Sequence, residues 1–185
     1  LERRLRKTCS SRLGSPVIFR QQRAGLHGAP FELLKFRTMT SEVGADGALL
    51  GDDDRMTKFG TRLRASSLDE LPQLWCVLRG DMSLIGPRPL LMRYEDRYTP
   101  RQRRRLDARP GLTGWAQVNG RNGVDWSAKL ERDVEYIDGA SPLLDLKILW
   151  RTPFAMLSRR GITDGQSSTS AEFVGLSDDS ADGAV

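Results

Sequence analysis

The chain has 185 residues with an apolar fraction of 38% and a charged fraction of 29%. That is room for one domain with one real core, and the composition does not force disorder over its whole length. No run of about 18 apolar residues occurs, which excludes a bilayer-spanning helix in these residues. One histidine (His27) and two cysteines (Cys9, Cys76) exclude a His/Cys metal cluster and a disulfide framework. Net charge is +5, unevenly spread. Residues 164–185 hold five acids and no Lys or Arg, so the body carries 29 basic against 19 acidic residues. A basic body suits a polyanionic partner: nucleic acid, an anionic membrane surface or a phosphorylated substrate.

Taken in chain order, residues 1–15 form a basic arm, or what remains of an anchor region. Pro16–Gln22 and Phe31–Arg37 read as strands around a loop with Gly25, Gly28 and Pro30, the pattern of a hairpin. His27 falls in that turn. Residues 40–55, rich in Gly and Asp, read as a mobile loop. Met56–Ala65 is expected to be helical. A second helix is expected from Leu68, with Leu68, Leu71, Leu74, Trp75 and Leu78 on one buried face. Ser67-Leu-Asp-Glu70 matches a capping box at its start.

Further on, Gly80–Pro89 is a loop, Tyr94–Ala108 a basic helix, and Arg109–Val124 Gly-rich and irregular. Trp126–Ile137 is a polar helix, and Leu143–Arg160 a long helix mixing apolar and basic residues. The last of these has the make-up of an interfacial helix, and Arg101–Arg105 could meet anionic headgroups. Residues 16–162 form the domain, and 163–185 an acidic, largely disordered tail. The whole is a mixed, helix-rich α/β fold: one small domain with a β-hairpin and amphipathic, membrane-facing helices.

Asp69 and Glu70 stand out chemically. Adjacent helical residues point about 100° apart, so the two carboxylates do not share one proton and suit separate roles. One can act as nucleophile, the other as a metal ligand. A Glu70 folded back into a capping box would not be free for a metal. Arg62 and Arg64 precede the acids by one to two helical turns. Arg88 is held between Pro87 and Pro89, and guanidinium forks match phosphate oxygens. Lys35 and Arg37 sit on the second hairpin strand. Trp115, Gln117, Asn119 and Arg121 are interleaved with rigid Gly and Pro positions, as in a structured binding loop. An indole face and amide edges can hold a nucleobase.

Several motifs in order then resemble the bacterial sugar transferases, the monotopic polyprenyl-phosphate phosphoglycosyl transferases. They are Ser15–Gly25, Lys35–Met39, Leu68–Leu74, Gly80–Pro89, Arg109–Asn122 and Leu144–Ile148. Thr169–Gly175 is similar to the small single-domain members. The resemblance implies a two-step reaction. Asp69 would attack a UDP-sugar, release UMP and hold a phosphosugar, which passes to polyprenyl (undecaprenyl) phosphate. Surface polysaccharide or glycoconjugate assembly would start there. It implies Mg2+ on Glu70, and Arg64, Arg88 and Arg37 as phosphate-binding cations. Asp133 matches a family acid, and Gln117, Asn119 and Arg121 would contact the nucleotide. It implies a place on the cytoplasmic face of the bacterial inner membrane. The apolar segment that precedes Ser15-Pro-Val in the family has no counterpart in Leu1–Gly14. Hexose-phosphates, N-acetylhexosamine-phosphates and modified amino-sugar phosphates all meet the pattern, and it leaves the oligomeric state open. Two rivals are a nucleic-acid-binding module, for which no recognised motif is present, and a catalytically silent membrane-associated scaffold.

Overall fold

The computed structural model describes residues 13–120, 125–157 and 172–175. Its elements are β1 (Ile18–Ala24), β2 (Pro30–Phe36), α1 (Asp52–Arg55), α2 (Lys58–Ala65), α3 (Gln73–Leu78), β3 (Ser83–Ile85), α4 (Pro100–Arg103), β4 (Gly111–Thr113), α5 (Trp115–Asn119), α6 (Trp126–Asp138) and α7 (Pro142–Leu157). Short 3-10 turns cover Leu26–Gly28, Leu68–Glu70, Met92–Arg97 and Arg104–Asp107. The mixed, helix-rich α/β expectation is met.

β1 and β2 pair antiparallel, with Arg23 opposite Phe31 and Phe19 opposite Lys35. The hairpin loop turns at His27, whose φ is 55°. Buried Phe31 and Leu33 of β2 pack on Cys76 of α3 and on Met82. Phe36 packs on Leu63 of α2, flanked by Phe59, Leu68 and Leu71. Each such side chain contributes roughly 1.5–3 kcal/mol of apolar burial. The third cluster, Ala24, Leu90, Tyr94, Tyr98, Leu106, Leu130 and Phe173, joins the hairpin end to α6.

α2 starts at Thr57, whose side chain accepts from the Gly60 amide. Gly60 is required there, since a Cβ would lie 1.8 Å from the Thr38 carbonyl oxygen. β3 and β4 run parallel, Ser83 beside Gly111 and Ile85 beside Thr113. Gly86 and Gly114 make the close approach possible, because a Cβ on either would meet opposing backbone at 2.3 Å or less. This pairing brings the loop of Arg88 beside that of Trp115.

Five expectations need correction. Gly80–Pro89, expected as a loop, contains β3. The segment 40–55 is tied down by the Met39–Met56 and Val43–Leu49 bridges and by α1. The predicted helix from Leu68 is a 3-10 turn and then α3. Its expected buried face is largely outside: Leu74, Trp75 and Leu78 are 41%, 57% and 79% exposed, while Gln73 and Cys76 are buried. On the inward face Cys76 packs on Leu33 and its thiol donates to the Glu32 carbonyl at 3.5 Å. Tyr94–Ala108 is three short pieces, broken at Tyr98 and restarted by a Thr99–Gln102 capping box. The expected irregular stretch 109–124 holds β4 and α5, while Arg121–Val124 lie outside the described residues.

Among the described residues no helix is long and apolar enough to cross a membrane. The arm 1–12 and most of the tail lie outside the described residues. The tail's Glu172–Gly175 is docked, however: Phe173 is 2% exposed against Tyr94, Tyr98 and Trp126.

Candidate active site

Ser67 is the hinge of the site. Its φ of 55° is left-handed, a strained conformation for a residue with a Cβ. It turns the chain sharply between α2 and the Leu68–Glu70 turn. Its side chain makes no cap hydrogen bond, so the expected capping box does not form. Glu70 is thereby released from its own helix start and points across to two cations. Its Oε1 accepts from Lys35 Nζ at 2.9 Å and from Arg88 Nη2 at 2.7 Å. Burial alone would raise the Glu70 carboxyl. The charges and hydrogen bonds of Arg88 and Lys35 overcome that and hold it well below the usual carboxylate range.

Asp69 differs. It is buried, 6% exposed. Burial pushes its carboxyl up, Lys35 opposes this, and the Glu70 charge adds to it. Arg64 and Arg88 also bias it toward the charged form. Arg64, in the last turn of α2, donates from Nε to Thr38 Oγ1 at 3.0 Å. Arg88 is about half exposed while Pro87 and Pro89 are buried, so the loop is clamped and its guanidinium is presented. The two neighbouring acids are therefore set apart, one strongly ionised and ion-paired, the other pushed toward neutrality.

Asp133 lies behind this arrangement. Its Oδ2 accepts from Arg105 Nε at 3.1 Å and Nη2 at 2.7 Å, with both side chains buried. Arg105 Nη2 also donates to the Arg88 carbonyl at 2.6 Å, and its Nη1 to Tyr98 Oη at 3.2 Å. Arg105 thus couples α6 to the backbone of the Arg88 loop.

The other expected site residues are placed as follows. Arg37 is not brought to the acids: its Nε donates to the Pro16 carbonyl at 2.9 Å and its Nη1 to Ser41 Oγ, and with Ser15–Arg20 it lines a separate cleft. Lys35, two residues earlier, reaches Glu70 instead. A lone lysine continuing the alternating Phe31, Leu33 face was the signal for it. Gln117 has both amide atoms buried without a partner among the described residues. Asn119 donates to the Trp115 carbonyl at 2.9 Å and accepts from Arg151 at 3.0 Å. Lys147 and Arg151 of α7 lie over the Trp115 ring, 5.2 and 5.6 Å from its centre, so the indole face is covered by cations. Arg121 lies outside the described residues.

Among the described residues no three His, Cys, Asp or Glu side chains gather as a metal site. Glu70 Oε1 takes both of the hydrogen bonds from Lys35 and Arg88, and Oε2 takes neither. One carboxylate oxygen shared with substrate phosphates fits Mg2+.

A family model described as bacterial sugar transferase matches residues 7–159. The chain belongs to the bacterial sugar transferases. This family of enzymes includes the "Uncharacterized sugar transferase EpsL" of Bacillus subtilis (strain 168), 53% identical over 90% of this chain and 83% of that protein. The "UDP-glucose:undecaprenyl-phosphate glucose-1-phosphate transferase" of Caulobacter vibrioides is 50% identical over 77% of this chain. The "Undecaprenyl-phosphate galactose phosphotransferase" of Salmonella typhimurium is 39% identical over 82% of it. The aligned part is 57% of the Caulobacter protein and 35% of the Salmonella one. As a sugar transferase domain, the chain places its buried acid, its ion-paired acid and three cations within that shared stretch.

Proposed function

We propose that this chain transfers a sugar-1-phosphate from a UDP-sugar to polyprenyl (undecaprenyl) phosphate through a covalent aspartyl-phosphosugar, releasing UMP. The reaction would start surface polysaccharide or glycoconjugate assembly. The observation that carries the reading is the split between the two acids. Glu70 holds Lys35 and Arg88 in place, while Asp69 beside it is buried amid their charge. The names of the Caulobacter and Salmonella relatives support the donor and acceptor classes.

In the first step a deprotonated Asp69 oxygen attacks the phosphorus next to the sugar. The bond from that phosphorus to the bridging oxygen breaks, and UMP leaves with the electron pair. In the second step a polyprenyl phosphate oxygen attacks the same phosphorus, and the Asp69 carboxylate leaves. Charge builds on the phosphoryl oxygens in both steps, and Lys35, Arg64 and Arg88 are positioned to stabilise it. Glu70 would hold Mg2+, which when bound neutralises phosphate charge. Desolvation of Asp69 leaves its carboxylate poorly hydrated, so attack has less solvent to shed.

The acceptor is a lipid, and α7 supports a place at the membrane surface. Leu143, Leu146, Trp150 and Phe154 are 77%, 64%, 73% and 60% exposed, while Ile148 is fully buried. Positions 143, 146, 150 and 154 follow one helical stripe. We place this stripe on the cytoplasmic face of the inner membrane. The basic run Arg101–Arg105 adds less than expected. Arg101 pairs with Glu131, Arg104 with Asp138 and Arg105 with Asp133, all on α6.

The test is UMP release from a panel of UDP-sugars, with Mg2+ or EDTA, for the wild type and Asp69→Asn. A Mg2+-dependent burst of up to one UMP per chain without acceptor, absent in the variant, is the expected result. No UMP from any donor, even with undecaprenyl phosphate in vesicles, overturns the reading.

A further inference from the structure

β1 carries a cation that the proposed reaction has not used. Directly opposed residues of an antiparallel pair share a face, so Arg23, opposite Phe31, lies on the face of Phe31, Leu33 and Lys35. That is the face from which Lys35 reaches Glu70. The end of β1 is fastened to the Arg88 loop by the Ala24 amide, which donates to the Leu90 carbonyl at 3.1 Å, and by the Arg23–Leu91 bridge. Arg23 and Arg88 are therefore held side by side.

The surroundings of Arg23 do not balance its charge. Nη2 donates to Gln21 Oε1 at 2.6 Å and Nη1 to the Pro89 carbonyl at 3.5 Å, both neutral acceptors and the second at the limit of a hydrogen bond. Nε is buried with no partner among the described residues. Arg20, on the same strand, meets Glu32, and buried Arg105 meets Asp133. No carboxylate pairs with Arg23 among the described residues. Burial, with Arg88 and Arg93 as like-charged neighbours, pushes its guanidinium down to about 10, and the phenols of Tyr94 and Tyr98 oppose this. A half-buried cation whose neighbours are cations costs stability, and it suits a partner that arrives from outside.

We propose that Arg23 and Arg88 form a second phosphate-binding position on the hairpin face, beside that of the attacked phosphorus. It takes the phosphate that is not attacked. This rests on the phosphosugar-transfer reading. In the first step that phosphate belongs to the departing UMP, and in the second to the attacking lipid phosphate. The shared chemistry is a phosphate with at least two free oxygens, matched by a guanidinium fork on each side.

The test compares wild type, Arg23→Gln, Arg23→Lys and the exposed-strand control Arg20→Gln, each in the full chain. Calorimetry reads the Kd for UMP and for inorganic phosphate. Kinetics read the UMP burst from UDP-glucose and the KM for undecaprenyl phosphate. The loss of a charge-assisted contact to phosphate is expected to weaken affinity roughly 10- to 100-fold in Arg23→Gln. Arg23→Lys should recover most of it, and Arg20→Gln should match the wild type. A loss in UMP affinity and in the burst assigns the position to the donor. A raised KM for undecaprenyl phosphate with an intact burst assigns it to the acceptor, and either outcome supports the proposal. Unchanged affinities and KM values in Arg23→Gln overturn it. So does a lowered Tm with unchanged anion affinity, which assigns Arg23 to pinning β1 on Pro89. If the wild type makes no UMP yet binds phosphate through Arg23, the phosphate site stands and the transferase reading falls. If the wild type binds neither anion, both fall.

Discussion

Two acid–arginine centres stand back to back in this molecule, and they are built differently. At Asp133 one carboxylate meets one guanidinium, and the two side chains are 5% and 2% exposed. At Glu70 one carboxylate meets two cations, Lys35 and Arg88, with Arg88 47% exposed. The first centre is closed and electrically even, so its work is mechanical: Arg105 grips the Arg88 carbonyl. The second has more positive charge than its own acids use, and Asp69 sits inside the excess. Surplus cation charge on a presented loop, backed by a neutral buried pair, is how a fold keeps a site open to phosphate without letting it collapse on itself.

The largest effect should come from breaking the closed centre. Arg105→Ala leaves Asp133 buried without its partner and should cost about 3–5 kcal/mol in denaturant unfolding. Replacing both at once, Arg105→Met with Asp133→Leu, should recover much of that stability while still freeing the Arg88 loop. UMP release should then stay low although the fold is intact. A double variant with full activity would refute the mechanical role.

Gly60→Ala tests how firmly the turn carrying the acids is seated. Its Cβ would overlap the Thr38 carbonyl, 1.8 Å away, so α2 must shift and Arg64 with it. We expect a loss of about 1–3 kcal/mol, as for overpacking, seen as a lowered Tm.

Glu70→Gln should cost less stability, about 1 kcal/mol, because the centre is partly open to solvent. Its activity loss should be much greater. The pH dependence gives a second check. The Glu70 carboxyl is held below its unfolded value, so its contribution is present above the ordinary carboxylate range and lost as pH falls through it. The wild type should lose more stability than Glu70→Gln on going from neutral to acid pH.

Asp69→Asn should be the smallest change in stability and opposite in sign. The Asp69 carboxyl is raised by burial, so the folded state holds its proton more tightly than the unfolded chain does. The wild type therefore loses stability as pH rises from the unfolded pKa to the folded one. The Asn variant escapes that loss. Its Tm should exceed the wild type's at neutral pH and match it at acid pH, while UMP release is abolished. An Asn variant less stable than wild type at neutral pH would remove the argument that Asp69 is desolvated.

The hairpin, α6 and α7 were legible because each obeys a local rule: alternation around Gly and Pro, or a Ser, Thr or Asp start followed by helical spacing. Asp69, Glu70, Arg64 and Arg88 could be picked out as a chemistry-bearing set. The Leu68–Leu78 stripe misled, because spacing shows that apolar residues share a face and not whether that face is covered. Arg37 drew attention that belonged to Lys35, since strand alternation alone does not say on which residue the strand ends. The docking of Phe173 could not be read from a Ser- and Asp-rich tail, because one aromatic ring becomes an anchor only where Tyr94, Tyr98 and Trp126 already stand together.

By itself the sequence determined the fold class and the family, and it marked acids and cations whose chemistry suits phosphate, since short-range spacing and residue type encode these. Only the tertiary structure decided that Glu70 leaves its own turn for Lys35 and Arg88, that Arg105 braces the Arg88 loop, and that Arg23 is held against Pro89 of that loop. Each of these depends on contacts between residues 17 to 66 positions apart, which are set by packing and charge in three dimensions and leave no local pattern in the chain.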